Sequence, residues 1–370
     1  MKSCWMDKPA HVRVTNQHGN RNSNWDTSLK RRLGQVARWL KYRVASRAVI
    51  LMYHRVTDLP NDPFLLSIKP KHFAEQMEVI RRQRCIPMRL EELVGALRLG
   101  KVPNRAIVVT FDDGYADNLH HARPILEHYE IPTTVFVTAG HVGNQREFWW
   151  DEMDRTLLQP GVLPRKLQLD INGNACEWDL GDATRYTEDE HRRDRYWHIE
   201  REHDPTSRHR LFRMLYSAIA GLTSVERQKV MDDLLSWSGA TSTARPTHRT
   251  LTTDELVLLQ KDALIDIGAH TVTHPFLAAL SPEEQQTEIW EGKRFLEQVS
   301  QRPVTSFAFP HGSTTPETIE ILQQGGFVSA CCSHADAVSR RTDCYRLPRL
   351  GIRDWDKDMF GRWLRWWIDG

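Results

Sequence analysis

Thr110-Phe111-Asp112-Asp113-Gly114-Tyr115 sets two carboxylates side by side, and His270-Thr271-Val272-Thr273-His274 sets two imidazoles four residues apart. One carboxylate and two histidines suffice for a three-ligand metal site with an open position. A second carboxylate is then left where a base must sit to activate water. The combination points to metal-assisted hydrolysis. Neither segment is informative alone. Asp-Asp-Gly is ordinary turn chemistry, and a lone His is usually a satisfied polar residue. The pairing of the two carries the signal.

The elements that must position these side chains can be read around them. The first segment ends Ala106-Ile107-Val108-Val109-Thr110-Phe111, an apolar, β-branched run read as a buried strand. Gly114 ends it, and Leu119, Ala122, Ile125, Leu126 and Tyr129 recur at helical spacing behind it. The two Asp therefore sit where a strand gives way to its loop, the place where α/β barrels build active sites. The second segment follows Leu264-Ile265-Asp266-Ile267-Gly268-Ala269, again strand-like, and Pro275 disfavours helix at His274. Its two histidines are expected on a loop at a strand end. Strands over 133–137 and 304–309 alternate with helices over 71–84, 91–99, 282–299 and 317–324. Such alternation argues for an α/β fold with a parallel barrel.

With both motifs in place, the chain resembles the polysaccharide deacetylase family (NodB-homology, carbohydrate esterase 4 type), in outline over 49–352. The first family motif, Thr-Phe-Asp-Asp-Gly, stands at 110–114, and the second, His-Ser/Thr-x-x-His, at 270–274. The resemblance implies a distorted (β/α)7 barrel. It implies Asp112 as general base, and Asp113, His270 and His274 as ligands of a divalent metal, most often zinc. The implied reaction removes an N-acetyl group from an amino sugar, with an N-acetylated saccharide as partner.

The third family motif matches less well. Members carry an Arg-rich stretch ending Pro-Tyr-Gly. Here Ser306-Phe307-Ala308-Phe309-Pro310-His311-Gly312 has His in place of Tyr and no Arg before it. The family uses the backbone N–H at that Tyr to hold the oxyanion. A backbone donor survives a side-chain change, so His311 is expected to serve, with Phe309 and Pro310 touching substrate. The Arg that orients the base is unassigned. The leaving amine needs a proton, for which histidine is suited near neutral pH. Val49-Ile50-Leu51-Met52-Tyr53-His54 resembles the circularly permuted, exopolysaccharide deacetylase branch, whose acid comes from an N-terminal Tyr-His strand. His54 is therefore the expected acid. His334, which lacks the Leu-x-His context of the unpermuted pattern, is its rival.

The rhythm breaks over 151–253. Leu167-Gln168-Leu169-Asp170-Ile171 with Asn172-Gly173 suggests a hairpin, and 211–219 and 225–237 suggest helices. The stretch reads as a helical insertion near the barrel mouth that shapes a substrate groove, or as a surface excursion without that role. Trp149 and Trp150 precede it and either stack on sugar or fill core. Trp355, Trp363, Trp366 and Trp367 suit a closing helix or an oligomer contact.

The chain has 370 residues and a net charge of +2, so nothing steers it to nucleic acid. One barrel domain is expected over 48–370. Residues 1–28 are polar and expected to be disordered. Over 29–47, Lys30, Arg31, Arg32, Arg38, Lys41, Arg43 and Arg47 accompany Leu33, Val36, Ala37 and Leu40. This basic amphipathic helix either packs on the domain or touches an anionic membrane surface. No early segment has a signal-peptide core, and no run of about 18 apolar residues occurs. The expected location is cytoplasmic, peripheral to the membrane if 29–47 binds one. Cys4, Cys85, Cys176, Cys331, Cys332 and Cys344 show no metal-ligand spacing and read as reduced thiols. Two other functions fit the motifs: an amidase or deacylase of a non-sugar N-acyl metabolite, and a weakened, glycan-binding relative.

Overall fold

The computed structural model describes residues 48–261 and 263–369. The expected tail 1–28 and amphipathic helix 29–47 lie outside the described residues.

Seven parallel strands form the core: β1 (Ala48–Tyr53), β2 (Ala106–Phe111), β3 (Thr133–Val137), β4 (Ile265–Ala269), β5 (Ser306–Ala308), β6 (Ser329–Cys331) and β7 (Leu350–Gly351). Their spatial order is β6-β5-β4-β3-β2-β1-β7, and a short strand, Ile86–Pro87, adds to the start of β2. β1, β2 and β3 are near-continuous apolar or β-branched runs, as strands covered on both faces must be. The sheet curls toward closure where Cys331 bridges Leu347, three residues ahead of β7. The architecture is an α/β barrel of the (β/α)7 kind, with helices such as Pro70–Arg82, Pro282–Ser300 and Pro316–Gln324 packed outside.

Register decides what meets at the rim. Tyr53 pairs with Phe111, so His54 and Asp112 leave adjacent strand ends together; the Asp112 N–H donates to the Tyr53 carbonyl at 3.0 Å. Ala269 pairs with both Val137 and Phe307, which brings His270 to the same rim.

The helix expected behind Gly114 is split. A π-turn, Asn118–Ala122, precedes the α-helix Arg123–His128. Pro124 lacks an N–H, and the ladder is rephased there by a bond from the Arg123 N–H to the Asn118 carbonyl. The insertion has a core of its own. The hairpin Lys166–Ile171/Asn174–Asp179 turns through Asn172 and Gly173 at φ 53° and 77°, the left-handed pair of a type I′ turn. Helices Trp149–Leu157, Ser207–Ile219 and Ser224–Ser238 pack on it through Met153, Phe212, Leu215 and Met231. Tyr115, two residues past Asp113, belongs to this second core, so the insertion is seated on the barrel mouth.

The terminal helix Lys357–Asp369 buries Phe360, Leu364 and Trp367 against the barrel and leaves Trp366 exposed. Cys85, Cys331, Cys332 and Cys344 form no disulfide among the described residues. Among the described residues, no helix is long and apolar enough to cross a membrane.

Candidate active site

Asp113, His270 and His274 converge, all buried, with one ligand atom of each lying within 4.8 Å of the others. Asp113 Oδ1 is 3.6 Å from His270 Nε2 and 3.4 Å from His274 Nε2. These are long for hydrogen bonds. They match the edge of a tetrahedron with metal–ligand bonds of about 2.1 Å. His270 Nδ1 meets the Ala308 carbonyl at 2.8 Å, which fixes the ring with Nε2 bare and turned to Asp113. Burial pushes both imidazoles down, His274 furthest, so both are neutral and able to ligate. Burial, then the adjacent Asp112 charge, pushes the Asp113 carboxyl well above its usual range. A dry carboxylate between two neutral imidazoles is stabilised by a cation, so the residues fit a divalent ion.

The backbone that presents these groups is strained. Asp113, Thr271 and His274 all have positive φ, at 74°, 65° and 57°. Each such residue costs on the order of 1 kcal/mol or more, and persists only where its surroundings hold it. Here Glu288, from helix Pro282–Ser300, accepts the N–H groups of Val272 and Thr273, both at 2.8 Å, and the Thr273 hydroxyl. Opposite, the Gly140 N–H donates to the Val272 carbonyl; a Cβ at Gly140 would sit 2.6 Å from that oxygen.

Asp112 points to a different partner. Arg349, fully buried, donates from Nη1 and Nη2 to its two oxygens, each at 2.7 Å. Burial would raise the Asp112 pKa, but the guanidinium wins and holds it at about 2. Arg349 is the orienting Arg that the third motif lacks. It arrives from just ahead of β7, which is separated from β2 only by β1. Its sequence signal is an Arg inside the apolar run Leu347-Pro348-Arg349-Leu350-Gly351-Ile352.

Asp112, Asp113, His54, His270, His274, His311, Phe309 and Trp150 line one cavity of about 260 Å³, with Arg349 at its base. Burial pushes His54 down to about 4, against the opposing pull of the Asp112 charge. His311 takes a left-handed φ of 56° and stacks on Phe276, rings 3.8 Å apart. Trp150 packs beside His274, centroids 5.0 Å apart, and donates to the Tyr115 hydroxyl, which donates on to Asp151. Two expected substrate contacts, Trp149 and Pro310, lie outside this cavity. Trp149 stacks on Tyr216 inside the insertion core, because that core needs a large apolar ring. Pro310 is buried and does not line the cavity. His334 is exposed and outside the cavity, its carbonyl occupied by the Arg349 N–H.

Residues 99–162 and 235–330 match the family model described as polysaccharide deacetylase. YxkH of Bacillus subtilis (strain 168), assigned as a polysaccharide deacetylase, is 24% identical over 315 residues, 85% of this chain and 74% of that protein. The poly-beta-1,6-N-acetyl-D-glucosamine N-deacetylase of Staphylococcus aureus (strain MSSA476) is 31% identical over 118 residues. That match spans 29% of this chain and 40% of the enzyme's length. Of solved structures, IcaB from Ammonifex degensii superposes with a TM-score of 0.53 at 18% identity, covering 88% of this chain and 98% of that one. The Streptococcus pyogenes deacetylase PplD does so at 0.53 and 17%, covering 88% and 100%. At such identities both structures speak for the barrel alone.

Proposed function

The chain belongs to the polysaccharide deacetylase family, and from that premise we propose that its cavity removes N-acetyl groups from amino sugars of a glycan or glycan precursor, with Asp113, His270 and His274 holding a divalent ion. It is a hydrolase of amide bonds. An ion held by these three residues would supply Lewis acidity at the amide carbonyl and acidify nearby water; one carboxylate and two neutral imidazoles suit zinc.

The chain's own residues do the rest. Asp112, ionised and fixed through both oxygens by Arg349, takes the proton of the attacking water. The N–H of His311, whose residue lines the cavity, donates to the oxygen that gains charge as the carbonyl is attacked. His54 rests neutral near the Asp112 charge; it takes up the proton that Asp112 has drawn from the water and delivers it to the departing nitrogen. The C–N bond breaks, and acetate and a free amine leave. Phe64, Leu66, Trp150 and Phe309 give the cavity apolar walls for the acetyl methyl and a sugar face. Its volume of about 260 Å³ is at the small end of ligand sites and suits one sugar unit.

The carrying observation is the division of the Asp pair: Asp113 turned to two imidazoles, Asp112 to a buried guanidinium. The test joins metal analysis of purified protein to acetate release from N-acetylated saccharides and from N-acyl metabolites without sugar. Acetate from saccharides only is expected. Release from the non-sugar amides alone would overturn the sugar assignment.

A further inference from the structure

A second cavity, of about 180 Å³, is not used by the reaction just derived. His270 and His274 line the catalytic cavity, whereas Val272 and Thr273 between them line this one, so a single loop borders both spaces. The opposite side comes from the insertion: Ser224, Arg227 and Met231 of helix Ser224–Ser238, together with Trp149.

Arg227 is the unusual member of this lining. It is only 4% exposed, yet its hydrogen bonds run to three backbone carbonyls, those of Ala220 at 3.5 Å, Leu222 at 3.4 Å and Thr273 at 3.4 Å. All three lie at the long limit for such bonds, and none of these partners is a carboxylate. Burial pushes the Arg227 guanidinium down to about 10, with Glu288 pulling the other way. A cation this deeply buried ordinarily has a counter-charge.

The acidic groups of the lining are already taken. Arg146 grips Glu152 through both oxygens, at 2.8 and 2.7 Å, and Arg245 grips Glu147 through both, at 2.9 Å. Arg146 also donates to Asp232 at 2.6 Å, so its charge is matched and that of Arg227 is the one left over. Two more side chains of the lining hold buried polar atoms without a hydrogen-bond partner, Trp149 Nε1 and His141 Nδ1. The Trp149 ring lies beneath Arg227, 5.3 Å from guanidinium carbon to ring centroid. The first turn of helix Ser224–Ser238 stands at the cavity, where its peptide dipoles favour negative charge. The volume is several times the roughly 30 Å³ share of one water. It is also below the ~300–1,000 Å³ of ordinary small-molecule sites, which limits an occupant to a small ion.

We propose that this cavity binds one small oxyanion, a carboxylate of acetate size or an inorganic phosphate, with the Arg227 guanidinium as its counter-charge and the Trp149 N–H as a further donor. The site is separate from the catalytic cavity, and the proposal does not depend on the deacetylase reading.

The test follows thermal unfolding of the metal-loaded protein in sodium acetate and in sodium phosphate, each against sodium chloride at equal ionic strength. Binding to the folded state should raise the midpoint by a few degrees. A rise with acetate alone assigns a carboxylate, and a rise with phosphate alone assigns phosphate. Ser224→Asp puts a negative charge in the first helical turn, where it favours the helix but repels the anion, and should abolish the rise. The general salt effect of phosphate is common to both proteins, so their difference is the readout. Arg227→Met removes the cation with little change of shape. In chloride it should be at least as stable as the unaltered protein, because no buried charge is left unpaired, and neither anion should add to it. Were Arg227→Met not to fold, Ser224→Asp decides alone. No difference between the unaltered protein and Ser224→Asp, whether both respond or neither does, would overturn the site.

Discussion

Arg349 and Asp112 meet as a two-pronged pair, Nη1 to Oδ1 and Nη2 to Oδ2, both 2.7 Å long and both buried. The remaining Arg349 bonds run to the Thr110 hydroxyl and the Cys332 carbonyl, so one side chain joins β2 to the segment after β6. Removing one charge of such a pair strands the other; removing both does not. Arg349→Met should lose about 3–5 kcal/mol of stability. Adding Asp112→Asn to that variant should recover much of the loss without recovering turnover. Denaturant midpoints decide it: a double variant no steadier than Arg349→Met would dismiss the pair as the cause. The sign of the pH effect follows. A carboxylate held below its unfolded value stabilises fully above about pH 4. That contribution fades as pH falls toward about 2, the value Arg349 imposes.

This pair also marks what the sequence could not reveal. The Asp-Asp and His-x-x-x-His segments were legible because each is local and each follows a strand. His54 was legible only through the resemblance; its meeting with Asp112 depends on the register of β1 against β2, which neither segment shows by itself. Arg349 was not, because it lies 237 residues from Asp112 and is delivered by the closing turn of the barrel. Periodicity within a segment carries no information about closure. Trp149 and Trp150 show a second limit: adjacent residues on one helix point apart, so one ring fills the insertion core while its neighbour reaches the cavity. Sequence spacing could not say which.

The metal assignment is tested by removing ligands. His270→Ala and His274→Ala proteins should remain folded but lose the ion, and a chelator should stop turnover of the unaltered protein until a divalent metal is returned. Full metal occupancy in both variants would sink the assignment of Asp113, His270 and His274.

Glu288 offers a subtler handle on the same site. It lines neither cavity, yet it holds the N–H groups of Val272 and Thr273, between the two histidines. With Glu288→Ala, the left-handed turns at Thr271 and His274 lose their clamp. Metal affinity should fall by about 10–100-fold, as for other groups that orient ligands without touching the ion. Turnover at saturating metal should stay within a few-fold. A metal titration followed by activity separates this from a direct catalytic role, which would depress turnover at every metal concentration.

Asp112→Asn addresses the base. The amide is nearly isosteric but cannot accept the water's proton. Metal content should be retained and turnover should fall by about 10²–10⁴-fold. Near-normal acetate release would require the roles of Asp112 and Asp113 to be exchanged.

His54 and His334 compete for the acid, and the structure separates their surroundings. His54 lines the cavity and faces the Asp112 charge; His334 is exposed and outside it. His54→Ala should lower turnover of ordinary acetamides by at least about 10²-fold, because an amine leaves poorly without a proton. His334→Ala should be mild. An aryl ester supplies the internal control, since its leaving group departs without protonation. It should restore much of the His54→Ala rate but none of the Asp112→Asn rate, for attack still needs the base. If His334→Ala proved the damaging change and His54→Ala the mild one, His54 would be a structural residue at the end of β1. The proton would then have to come from the loop beyond β6.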